Sequence, residues 1–138
     1  MWRKVAFVAV ALVFLTQPTA QGRPEKPPAK ANELMKKKLM HSQKVLEGIA
    51  LNDFDTISKH GEELLLISKT AEWRVLKTTE YELFSNSFQR SAIDLVKHAK
   101  AKNLDAAALA YVELTLTCVK CHKHVREERQ TAFEDANR

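Results

Sequence analysis

Proline and glycine all but vanish after the first part of the chain: the last proline is Pro28, and beyond it the only glycines are Gly48 and Gly61. A β-sandwich or barrel needs turn residues at short intervals, so this stretch disfavours both and favours helices joined by short caps. The chain has 138 residues, which suits one domain with a modest core. Its 45% hydrophobic and 28% charged residues lie in the ordinary globular range, against wholesale disorder and against a multi-span membrane protein. The two cysteines are too few for a disulfide scaffold.

Residues 1–20 contain no acid, two bases (Arg3 and Lys4), and then an unbroken apolar run from Val5 to Leu15. That order is the one found in a secretory signal peptide, with cleavage expected between residues 20 and 22. Eleven apolar residues rise only about 16 Å as a helix, short of the roughly 30 Å hydrocarbon core, so an uncleaved anchor is the weaker reading. Removing residues 1–22 as a leader lowers Lys+Arg from 22 to 20 against 17 acids, so the net charge falls from +5 to +3. So mild an excess, spread along the chain, is no nucleic-acid footprint. Residues 23–31 include three of the four prolines and read as an extended, disordered tether, which leaves 32–138 as the folded unit.

Within that unit, apolar residues recur at helical spacing in four blocks. In the first, Met35, Leu39, Ser42, Leu46 and Ile49 fall on one stripe, with Asn32 as N-cap and the lysines, including Lys36, Lys37 and Lys38, outside as a solvated face. Asn52 and Asp53 break this block and cap a second, which presents Phe54, Ile57, Gly61, Leu64, Leu65 and Ser68. Residues 70–78 form the longest expected loop. Thr79 to Glu82 reads as a capping box, opening a third block that aligns Tyr81, Phe84, Phe88, Ala92, Leu95 and Ala99. The fourth is capped by Asn103 or Asp105 and displays Leu104, Ala108, Tyr111, Thr115, Cys118, His122 and Val125 before a charged tail from Arg126. The expected fold is all-α: an antiparallel up-down-up-down four-helix bundle.

Both cysteines fall in Cys118-Val119-Lys120-Cys121-His122, which matches the Cys-x-x-Cys-His attachment sequence for c-type haem. Two thiols add across the haem vinyl groups, and the adjacent imidazole reaches the iron as an axial ligand. On a helix these three residues occupy one arc of about 100°. A zinc site would need further thiol or imidazole ligands, and His124 is turned about 200° from His122. A redox Cys-x-x-Cys belongs near a βαβ pattern, which is absent. A plain disulfide remains as a third reading. No Ser/His/Asp set, paired carboxylates or phosphate loop is present, so catalysis by the chain's own side chains is not expected.

A leader, a four-helix bundle and this motif on the last helix resemble the cytochrome c′ superfamily, the class II c-type cytochromes. The resemblance covers residues 32 to 128 and is most specific at 118–126, where Arg126 matches an Arg that relatives commonly carry four residues after the haem His. It implies one covalent haem c enclosed by the bundle, His122 as proximal ligand, and a periplasmic setting. It also implies that the first helix supplies the residue facing the iron. An apolar residue there goes with a five-coordinate site for small gases such as nitric oxide, and a Met with a six-coordinate electron carrier. Many relatives are homodimers.

Met35 lies at the centre of the expected stripe, whereas Met40 and His41 are turned away by about 140° and 120°. Met35 is therefore the expected distal ligand, with Leu39 covering the iron as the alternative. Arg126 sits one turn beyond His122, within reach of a haem propionate. Trp73, Tyr81, Phe84, Phe88 and Tyr111 are expected to wall the porphyrin, and Gly61 to leave room for its edge. The function that follows is electron transfer with redox partner proteins. Gas binding is the alternative.

Overall fold

A computed structural model describes residues 29–138; the expected leader and residues 23–28 of the tether lie outside the described residues. Four α-helices account for most of this span: α1 (Ala29–Leu51), α2 (Phe54–Ile67), α3 (Thr79–Lys100) and α4 (Leu104–Ala136). Among the described residues there is no strand, and no helix is long and apolar enough to cross a membrane. The all-helical expectation holds. α2 packs against both α1 and α3, α3 packs against α4, and α1 also meets α4.

Short polar caps make the sharp connections. After α1, Asn52 adopts φ 57°, a left-handed conformation that asparagine tolerates better than most residues. Asp53 then caps α2, its Oδ1 accepting from the Thr56 amide at 3.1 Å. The α3–α4 turn repeats the device: Lys102 takes φ 53°, and Asn103 Oδ1 accepts from the Ala106 amide at 3.0 Å. Close helix approach depends on both inner glycines. A Cβ on Gly48 would lie 2.9 Å from Ile57 Cγ1, and one on Gly61 would lie 2.8 Å from Val96 Cγ2. Gly61 therefore serves the α2–α3 contact, and the room it makes is taken by α3.

The apolar core is built from Val45, Ile57, Leu64, Phe88, Ala92, Leu95, Ala107 and Leu114, with Trp73 and Tyr81 at one end. Of the expected α3 stripe, Tyr81, Phe88, Ala92, Leu95 and Ala99 are buried, while Phe84 is only half-buried. Helix α1 departs from expectation. Its buried residues are Ala31, Lys38, Val45 and Gly48, while Leu39 is 60% and Leu46 53% exposed. Contact with α2 through Gly48 fixes the rotation of α1, and that rotation turns Val45 and Lys38 inward.

Three smaller differences have local causes. The N-cap of α3 is Thr78 rather than Thr79: its Oγ1 accepts from the Tyr81 amide at 3.2 Å. α1 is already helical at Ala29, so Asn32 lies inside it and caps nothing. The charged tail continues α4 as helix to Ala136, for it contains no glycine or proline to stop it. Residues 71–73 form a single 3-10 turn that drives Trp73 into the core, where its Nε1 donates to Ser85 Oγ at 2.9 Å.

Across the α1–α2 pair, His41 and His60 bring their Nδ1 atoms within 2.8 Å. One ring must be unprotonated at Nδ1 to accept this hydrogen bond. Burial first, then the charge of His41, lowers the His60 pKa from its ordinary value. A histidine depressed in the folded state binds fewer protons there than when unfolded, so it contributes stability above about pH 6.5 that is lost as pH falls below that value. Denaturant midpoints measured from pH 7 to pH 5 should fall, and the fall should be shallower in His60→Gln.

Candidate functional site

Helix α4 places Cys118, Cys121 and His122 on the side facing α1 and the 71–73 turn. Two openings line this seam. One, of about 210 Å³, is bounded by Ala31, Asn32, Met35, Lys38, Trp73, Val75, Tyr81, Cys121, His122, Val125, Arg126 and Arg129. The other, of about 330 Å³, is bounded by Met35, Lys38, Leu39, Ser42, Leu64, Tyr111, Leu114, Thr115, Cys118 and His122. Met35, Lys38 and His122 are common to both, so they form the partition between the two spaces. Each cysteine opens into one space, and His122 borders the two.

Both thiols are free and partly buried, packed beside the apolar core. Burial raises the pKa of each, and the Lys38 ammonium works against that rise. His122 is exposed at the rim of the seam; partial desolvation lowers its pKa, and the Lys38 and Arg126 charges lower it further. The imidazole is thus biased toward its neutral form, the form that can donate an electron pair to a metal. Among the described residues no group of three or more His, Cys, Asp or Glu stands close enough to hold a metal ion. Cys118, Cys121 and His122 therefore border the openings as separate groups and do not form a preformed chelate.

Aromatic residues wall the smaller space. Trp73 and Tyr81 are buried along it, and the Tyr81 hydroxyl donates to the Trp73 carbonyl. Burial, followed by the nearby Cys121, pushes the Tyr81 pKa up to about 12. Tyr111 lines the larger space and ties α4 to α1, donating to the Ser42 carbonyl at 3.1 Å. Phe88 lines neither, but it packs on Trp73 with ring centroids 5.0 Å apart. Phe84 is also away from the seam, edge-on to His124 at 6.0 Å. His124 itself is committed elsewhere, 2.7 Å from Thr78 Oγ1.

Sequence reasoning assigned Lys38 to solvent. The folded chain buries it to 7% exposure, with Nζ 4.1 Å from the Trp73 ring centroid and 4.2 Å from that of Phe88. Cation–π contact with a desolvated ring contributes about 2 kcal/mol, which partly offsets the loss of water around the ammonium. Burial lowers its pKa, while Cys118 and Cys121 raise it. A signal for this placement was present: Lys38 stands three residues after Met35 and four before Ser42, at the spacing of one helix face. Its charge, read as a reason to face solvent, masked its position. Met35 borders both spaces, and Leu39 borders only the larger one.

The chain matches no protein-family model, no curated protein and no solved structure.

Proposed function

We propose that this chain is a periplasmic electron-transfer protein, an up-down-up-down bundle holding one covalent haem c in the seam between α1 and α4. The observation that carries the reading is the arrangement of the Cys-x-x-Cys-His residues. Both thiols open into adjoining apolar spaces, and His122 borders both. Together these spaces are of the size of cofactor sites, roughly 300 to 1,000 Å³. The donor set also fits the group. Two separate thiols and one neutral imidazole suit attachment at three points, whereas a zinc ion needs donors converging on one.

A haem bound here supplies reversible one-electron iron chemistry. The chain's own residues do the rest. Cys118 and Cys121 would hold the macrocycle by thioether bonds, and His122 would present a ring nitrogen to the iron. Met35, which borders both spaces, would offer a soft thioether, a ligand that raises the reduction potential relative to a second imidazole. Trp73, Tyr81 and Tyr111 line the seam with aromatic surface. Arg126, which borders the smaller space, would pair with a propionate. The leader-like residues 1–22 support export to an oxidising compartment.

Absorption spectra of the purified exported protein, ferric and ferrous, with and without carbon monoxide, test this reading. A low-spin spectrum unaffected by carbon monoxide is expected. A high-spin iron that binds carbon monoxide would instead make the protein a gas-binding relative of this design, and the absence of haem bands would sink both. In the low-spin case, Met35→Leu should convert the spectrum to high-spin, and an unchanged spectrum would remove Met35 as ligand.

A further inference from the structure

A buried ammonium ordinarily has a carboxylate beside it, because its desolvation is otherwise uncompensated. Lys38 has none. The ion pairs among the described residues engage Lys36, Lys44, Lys100, Lys123 and Arg138, all on the surface. Lys38 instead rests its Nζ on the faces of Trp73 and Phe88 and borders both spaces alongside Met35 and His122. The groups it acts on electrically include the two thiols and His122. The fold thus places at a core position of α1, on the border of both spaces, a positive charge with no carboxylate partner among the described residues.

We propose that Lys38 is an internal cation that raises the reduction potential of the iron by opposing the ferric state. The inference rests on the haem reading above and adds to it a residue that tunes the electron carrier without ligating the iron. Oxidation of the iron adds one positive charge to the seam. In a site of effective dielectric near 20, two unit charges even about 10 Å apart repel enough to shift an equilibrium roughly tenfold. An exposed lysine on the same helix has no such effect, since water and salt screen it. Lys36, paired with Glu33 on the outer face, is that lysine.

The test is an equilibrium redox titration of the haem-loaded protein, comparing wild type with Lys38→Met and Lys36→Met. Methionine keeps the length and apolar stem of Lys38 while removing its charge. The expected result is a ferric-to-ferrous ratio about tenfold higher in Lys38→Met at any fixed potential, equivalent to a midpoint lower by about 59 mV for one electron, with Lys36→Met unchanged. Should Lys38→Met fail to load haem, Lys38→Gln removes the same charge and is expected to give the same shift. A midpoint equal to wild type in the loaded variant, or a shift no larger than in Lys36→Met, overturns the proposal. So does a change from low-spin to high-spin on Lys38→Met, which would make Lys38 an iron ligand. A wild-type chain without haem bands overturns the parent reading itself, a result distinct from a loaded protein whose midpoint ignores Lys38.

Discussion

Changing Cys118 and Cys121 together to serine is expected to abolish covalent pigment: after denaturation and solvent extraction, no haem should remain with the polypeptide. The effect is all-or-none because only these two thiols exist in the chain and serine hydroxyls do not form the thioether bond. Each single variant should retain one attachment, since each cysteine borders its own space beside His122. The helical far-ultraviolet signal should survive in the double variant, because the buried core of Leu64, Leu95, Ala107 and Leu114 contains neither sulfur. Pigment that stays bound through extraction in the double variant would exclude covalent attachment at this motif.

Truncating Phe88 should have the largest effect on stability. It is 1% exposed, in the middle of α3, and supports two residues at once: the Trp73 ring and the Lys38 ammonium. Phe-to-Ala changes in cores cost about 3 to 5 kcal/mol, against a typical total of 5 to 15 kcal/mol for a domain. Phe88→Ala is therefore expected to lower the urea midpoint sharply, by several times the change from a surface substitution such as Ile93→Ala, whose side chain is exposed. A loss below about 1 kcal/mol would mean that Trp73 and Lys38 collapse into the space without penalty.

How far the sequence could be read depended on how each helix is packed. α3 was legible because aromatic and small apolar residues repeat on one face from Tyr81 to Ala99, even though Leu83 and Ile93 stand exposed off that face. The caps at Asp53 and Asn103 were legible because a side-chain oxygen before a helix has a specific donor to meet. α1 was not, because leucines and methionines surround much of it and polarity alone does not say which of them face inward. Its rotation is set by a tertiary fact, the close approach at Gly48, and that approach leaves Leu39 and Leu46 outside while turning a lysine in. The Cys-x-x-Cys-His residues could be recognised from spacing alone. The partition built by Met35, Lys38 and His122 could not, since it joins residues more than eighty positions apart.

That partition also bears on how firmly the two ends of α1 are held. The C-terminal end is clamped to α2 by Gly48 and Val45, whereas the stretch around Asn32 and Met35 faces α4 across the two spaces and touches it only sparsely. Local opening takes the least free energy where buried apolar contact is scarcest. The first turns of α1 are therefore expected to open at lower free energy than its C-terminal half, and a group bonded to α4 that also engaged Met35 would hold them closed.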